Sequence, residues 1–214
     1  MGFDKLFAPI AGQSVLAHSL RAFEATQSVE RVVVVGHADR LIELEKLASS
    51  CGFRKISALI PGGSRRQDSV VRGLAAIDSA SDYVAVHDAA RALVRPELIE
   101  RIFEAAQLHG GAASGAPIID TLKRVDAQQH VIGGVDRTNL FAVETPQIFR
   151  RKILERALRF VSDHNLEVTD EISAVEKIGE SVVLVPNDSP NFKITYPRDL
   201  ELAEFLLARL PSGG

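Results

Sequence analysis

Apolar positions along the chain recur with two periods, and stretches of one kind alternate with stretches of the other. From Gln13 to Thr26, the residues Val15, Leu16, Leu20 and Phe23 repeat at helical spacing, and from Ala38 to Ser50 Leu41, Leu44 and Leu47 do the same. Between them Arg31 to Gly36 reads RVVVVG, a continuous β-branched run of the kind buried on both faces of a parallel sheet. The rhythm continues with a strand at Ser57 to Pro61, broken by Gly62 and Gly63, a helix at Ser69 to Ile77 and a buried strand at Tyr83 to His87. A helix from Pro96 to Leu108 is entered at a proline, as first-turn geometry prefers, and a strand is predicted at Gly111 to Ile119. Thr121 to Val125 and Val131 to Val135 flank the polar DAQQH and predict a two-stranded arm within residues 119–140. Val143 to Phe149 reads as a turn at Thr145 and Pro146 entering a helix. Helices follow at Arg150 to Ser162 and Asp170 to Ile178, then a strand at Ser181 to Val185 and a helix at Pro197 to Leu210 before a flexible PSGG tail.

This alternation predicts an α/β fold: a mainly parallel sheet with helices on both faces and a protruding β-arm, in one domain over residues 1–214. In such sheets ligands sit beyond the carboxyl ends of the strands, so chemistry is expected just after them.

Composition narrows the function classes. The net charge of −3 carries no basic surplus for a nucleic-acid partner. Cys51 is the sole cysteine, which excludes an internal disulfide and a cysteine-rich zinc site. No apolar run reaches the roughly 20 residues that span a bilayer, and MGFDKLFAPIAG has no signal-peptide core, so the expected location is the cytoplasm and no membrane partner is expected. No HExxH pair and no GxSxG elbow occurs, which disfavours a zinc hydrolase and a covalent serine hydrolase.

Several segments place polar groups after strands. GGSRRQDSV (Gly62 to Val70) lets a backbone approach a ligand at a helix N-terminus, with Arg65 and Arg66 available to phosphate; its bland reading is a capped turn with solvated arginines. VHDAARALV ends a strand with Asp88, placed to hold a metal ion or a ribose hydroxyl, or simply to cap a helix with Arg91 as surface partner. TDEISAVE reads on its own as an N-cap at Thr169 or Asp170 with first-turn acids. Lys193, in the apolar strand-like NFKIT, is semi-buried on this reading and needs an anionic partner, either a ligand phosphate or a carboxylate. Lys5 alone is a surface lysine.

Together and in order, DKLF, GGSRRQDSV, VHDAAR, DTLKR, VDR, TPQIF, TDEISAVE and NFKIT-P-DL, from residue 4 to residue 200, resemble the 2-C-methyl-D-erythritol 4-phosphate cytidylyltransferase family. The resemblance implies a Rossmann-like nucleotidyltransferase sheet and transfer of CMP from CTP to methylerythritol phosphate, with pyrophosphate leaving and magnesium as cofactor. It implies catalytic roles for Lys5, Arg137 and Lys193. Nucleotide binding falls to Gly63, Ser69, Asp88 and Ala89, and substrate binding to Arg91, Thr121, Arg137, Thr145, Thr169 and Lys193. Asp88 is the implied metal ligand. The arm is expected to clasp a second subunit, so that Thr121 and Arg137 serve the partner's site in a homodimer.

Family members begin with a strand and a loop resembling PAAGxGxRMG, whose last two residues Met1-Gly2 match. On that comparison a central strand, the phosphate loop and an arginine are expected to be missing here, either because the start lies upstream or because the chain is truncated and impaired. Ala92 stands where the family usually has proline. The competing readings are a cytidylyltransferase for another polyol phosphate such as ribitol 5-phosphate, and a non-catalytic nucleotide-binding or dimerising remnant.

Overall fold

The computed structural model describes residues 4–209; Met1-Gly2, Leu210 and the PSGG tail, on which sequence expectations fell, lie outside the described residues. A short hairpin of β1 (Pro9–Ile10) and β2 (Gln13–Ser14) leads into α1 (Val15–Ala25), capped where Ser14 accepts from the Ala17 N–H. Then come β3 (Val32–Gly36), a 3₁₀ turn at Ala38–Arg40, α2 (Leu41–Cys51), β4 (Ile56–Pro61) and α3 (Arg66–Ala76). The chain continues through β5 (Tyr83–Val86), α4 (Pro96–His109) and β6 (Gly111–Pro117) to the arm strands β7 (Leu122–Val125) and β8 (Val131–Val135). It ends with β9 (Phe141–Arg150), α5 (Arg151–Asp163), α6 (Glu171–Glu176), β10 (Val183–Pro186) and α7 (Pro197–Leu207).

The main sheet has the order β10-β6-β9-β5. β10 runs parallel to β6, but β9 is antiparallel to both its neighbours, so the sheet is mixed. Successive β9 side chains serve opposite faces: Ile148 packs with Phe23 of α1 and Ile99 and Ile102 of α4, whereas Phe149 packs with Leu74 of α3, Leu154 and Leu158 of α5 and Val175 of α6. Helices therefore cover both faces.

β9 corrects the sequence reading, which made Val143 to Phe149 a turn into a helix. A proline inside a run argues against a strand. Here Pro146 sits in a bulge: Ala113 of β6 pairs with Gln147 and Gly115 with Val143, so only Ser114 faces Glu144, Thr145 and Pro146. A residue out of the ladder has no ladder hydrogen bond to lose, and the bulge re-aims the side chains around it.

β3 and β4 form a separate parallel pair. A cavity of about 610 Å³ lies between Val32–Val35 of β3 and Val84–Val86 of β5, with Leu20 and Phe23 on one side and Leu74 on the other. Every residue of β3 is consequently half-buried, short of the burial that RVVVVG predicts. Among the described residues the arm strands pair only with each other, and Val131 and Ile132 are 64% and 65% exposed.

Candidate active site

β4 hands the chain to Gly62 and Gly63, whose turn opens α3. A Cβ at Gly63 would lie 2.4 Å from the Asp68 Cβ, so the turn admits no side chain there. The Gly63 N–H donates to Ser69 Oγ at 3.0 Å and the Arg65 N–H to Asp68 at 3.1 Å, which closes the turn onto the helix. The two arginines then diverge. Arg65 stays outside, 2.8 Å from Asp68, while Arg66, the first residue of α3, turns inward. Its Nη1 and Nη2 donate to Glu171 at 2.7 and 2.9 Å, and its Nε lies 3.4 Å from Asp88 Oδ1.

β5 delivers His87 and Asp88. Asp88 Oδ2 accepts from Lys193 Nζ at 2.9 Å, and Arg91 Nε lies 3.9 Å from the same oxygen. Burial pushes the Asp88 carboxyl up, but Lys193, Arg66 and Arg91 outweigh it and hold it below the usual carboxylate range. The Asp88 N–H donates to Thr145 Oγ1 at 2.9 Å. Thr145 Oγ1 lies 3.0 Å from His87 Nδ1, and His87 Nε2 lies 3.4 Å from the Arg91 carbonyl. Burial lowers His87 to about 4. The neutral ring then carries its proton on Nε2, so that Thr145 donates to Nδ1. His87 also lines the cavity.

Lys193 corrects the expectation twice. Its segment belongs to no strand ladder: Ile194, fully buried, donates its N–H to Ala90 O at 2.9 Å. Lys193 itself is 42% exposed, with Asp88 as its anionic partner. Beneath it, Glu144 Oε2 accepts from Asn187 and Asn191 at 2.9 and 3.1 Å. Asn191 also donates to the Thr145 carbonyl at 3.0 Å, and its own carbonyl accepts from Arg91 Nη1 at 2.8 Å. Arg91 Nε and Asn191 Oδ1 are buried with no hydrogen-bond partner among the described residues.

Arg91, Thr145 and Lys193 thus converge on Asp88, which lines the cavity together with Ala89, Arg66 and Ser69. Lys5 lies in the turn before β1, with Asp199 of α7 as a charged neighbour. Thr169 is exposed, 3.3 Å from Ser173 Oγ, and Asp170 is the residue that caps α6. Thr121 is exposed at one root of the arm, and Arg137 at the other bonds the Ile119 carbonyl. Among the described residues, none of Lys5, Thr121, Arg137 and Thr169 bonds Asp88, Arg91 or Lys193. The sequence reading missed Glu171, Glu144, Asn187 and Asn191. Glu171 looks like any first-turn acid, and its 2% exposure is a tertiary fact.

No three His, Cys, Asp or Glu side chains cluster as a metal cage among the described residues. Asp88 is one carboxylate beside cationic groups that suit phosphates. That donor set fits magnesium, which takes one or two carboxylates plus substrate phosphates, and does not fit a cation needing an all-protein cage. No helix among the described residues is long and apolar enough to cross a membrane.

Residues 1–209 match the family model of IspD, 2-C-methyl-D-erythritol 4-phosphate cytidylyltransferase. The enzyme of that name from Acidobacterium capsulatum is 38% identical over 212 residues, covering 97% of this chain and 89% of its own length. The bifunctional enzyme IspD/IspF of Desulfotalea psychrophila is 38% identical over 207 residues; the match covers 97% of this chain but only 53% of that protein. The crystal structure of 2-C-methyl-D-erythritol 4-phosphate cytidylyltransferase from Thermus thermophilus superposes with a TM-score of 0.82 at 32% identity, covering 95% of this chain and 94% of that one. Motif order, strand-end site and matches along nearly the whole chain agree, and the chain belongs to the 2-C-methyl-D-erythritol 4-phosphate cytidylyltransferase family.

Proposed function

We propose that this chain transfers CMP from CTP to 2-C-methyl-D-erythritol 4-phosphate. A phosphate oxygen of the sugar alcohol attacks the α-phosphorus of CTP; the new O–P bond forms as the bond to the β-phosphate bridge breaks, and pyrophosphate leaves. The observation that carries this reading is the convergence of Lys193, Arg91 and Arg66 on Asp88, opposite a glycine turn at a helix N-terminus, in a member of this family. The transfer needs no nucleophilic side chain, so its catalysis is positioning and charge stabilisation.

Lys193 and Arg91 orient the substrate phosphate. The ammonium of Lys193 is accessible, and Arg91 Nε is a buried donor with its bonding capacity unused. Gly63 and Ser69 hold the cytosine, with Asp88 and Ala89 along the nucleotide and Thr145 and Thr169 toward the sugar phosphate. Lys5 stabilises charge on the α-phosphate. Asp88 would hold magnesium together with the triphosphate, and the ion would neutralise phosphate charge. The exposed apolar side chains of the arm support a homodimer in which Thr121 and Arg137 serve the partner's site.

The test is pyrophosphate release from CTP and magnesium with methylerythritol phosphate or ribitol 5-phosphate as acceptor. Release with the first acceptor is expected; preference for the second, or none with either, overturns the reading. Lys193→Ala should lower kcat by about 10²–10³-fold, the usual cost of removing one charge-stabilising donor, with an unchanged circular dichroism spectrum. An unchanged rate removes Lys193 from the site.

A further inference from the structure

We propose that Glu171 is a positioning residue of this site: through Arg66 it sets the orientation of the Asp88 carboxylate and locks the Gly62–Ser69 turn to the opposite wall. The inference rests on the transferase reading for its meaning, but its geometry stands independently.

A chain of contacts runs from the central strand to the reacting pocket. Gln147 of β9 is 1% exposed, and its Oε1 accepts from the backbone N–H groups of Glu171 and Ile172, each at 3.1 Å. Its Nε2 donates to Asp170 at 2.9 Å. These bonds fasten the start of α6, so the Glu171 carboxylate is held from beneath. That carboxylate engages both Nη atoms of Arg66, a fork-to-fork pairing that fixes the plane of the guanidinium. With both ends taken, only Nε faces Asp88, at 3.4 Å. The other Asp88 oxygen is left to Lys193.

Removing the Glu171 charge changes this division. Arg66 would be a partly buried cation whose nearest remaining anion is Asp88, and an arginine fork pairs with a carboxylate through two nitrogens when it can. It would rotate onto both Asp88 oxygens and displace Lys193. Burial pushes the Glu171 carboxyl up while Arg66 pulls against it, as expected of two groups that form one coupled unit. Arg66 is also the first residue of α3 and lines the cavity, so its side chain joins the Gly62–Ser69 turn to α6.

A buried ion pair can equally be a packing element, since replacing both partners by apolar residues often leaves stability unchanged. The experiment therefore compares Glu171→Gln, Glu171→Asp and the double variant Arg66→Met with Glu171→Met. Each is read by thermal melt, by kcat and KM for methylerythritol phosphate, and by a crystal structure. The expected result is a fall in kcat/KM of about ten- to a hundredfold in Glu171→Gln, the usual cost of losing the partner that orients a site residue. Glu171→Asp should recover part of it. The double variant should melt near the wild-type temperature yet stay slow. In the Glu171→Gln crystal structure, Arg66 should be bidentate on Asp88 with Lys193 displaced. Wild-type kinetics in the double variant, or an unmoved Arg66 in Glu171→Gln, overturns the proposal. If Glu171→Gln does not fold, the double variant decides. If the wild type does not turn over methylerythritol phosphate, the transferase reading fails, and the position of Arg66 in the crystal structures still decides this one.

Discussion

The two walls of the central cavity are built from similar sequence and end up in different physical states. On one side β5 is paired with β9, and the pair is packed from both faces until Ile148 and Phe149 are 3% and 0% exposed. On the other side β3, with four consecutive valines, pairs among the described residues only with β4 and is half-buried throughout. Apolar content does not distinguish RVVVVG from YVAV. Both strands leave one edge toward the cavity. What differs is the partner on the other edge, because β9 is itself paired with β6 and packed by helices on both faces, whereas β4 forms a two-stranded sheet with β3 alone among the described residues. The proposed site straddles the two walls: Gly63 and Ser69 come from the β4 side, and Asp88, Arg91, Thr145 and Lys193 from the β5–β9 side. Arg66 joins them.

This contrast can be broken by one deletion on each wall. Phe149→Ala should cost about 3–5 kcal/mol, because its cavity opens in a packed core. Val34→Ala should cost about 1 kcal/mol, because its methyl groups already face free volume. Urea unfolding of both variants checks it, and a Val34→Ala cost as large as that of Phe149→Ala would mean that the β3 wall is fully packed.

The next largest effect is pH-dependent and belongs to the β5 wall. His87 titrates at about 4 in the folded protein against an ordinary value of 6.5. Below 6.5 the unfolded chain takes up a proton that the folded chain refuses. Stability should therefore fall as pH drops from 6.5 to about 4 and level off below, losing at most about 3 kcal/mol from this group. The Asp88 carboxyl, held low, loses its contribution only at still more acidic pH. His87→Gln should flatten the urea midpoint between pH 7 and 4.5; an unchanged slope would put the His87 titration elsewhere.

Gly63→Ala sharpens the comparison from the other wall. The added Cβ meets Asp68 and must displace the turn. The KM for CTP should rise about ten- to a hundredfold, since misplacing a binding group by about 1 Å costs that order, while Lys193 stays paired with Asp88. A KM within twofold of wild type removes Gly63 from the nucleotide site. The smallest effect on folding is expected in the arm. Ile132→Asp lies on an exposed strand and should leave the melting temperature almost unchanged, yet shift the mass in solution from that of the proposed dimer to that of a monomer. A dimer that persists would place the subunit interface elsewhere.

Much of the architecture was legible in residue order. Hydrophobic period predicts α1, α2, α4 and α5 within a few residues, because one apolar stripe is enough to define a buried helix face. Asp88 stands out because a carboxylate at the tip of an apolar strand needs a reason to be there. β9 was not legible, because Pro146 is a strand breaker unless a bulge takes it out of the ladder, and the bulge depends on the register with β6. Lys193 was legible as a lysine requiring an anion, but its exposure was not.

By itself, the sequence determined the alternation of helices and strands, the order of the polar segments and, through that order, the family. Those properties are local or additive along the chain. Only the tertiary structure decided that Arg65 faces outward and Arg66 inward, that Glu171 is buried as the arginine's partner, and that β3 and β5 enclose a cavity. Each of these depends on which groups, distant in sequence, compete for the same space and the same charge.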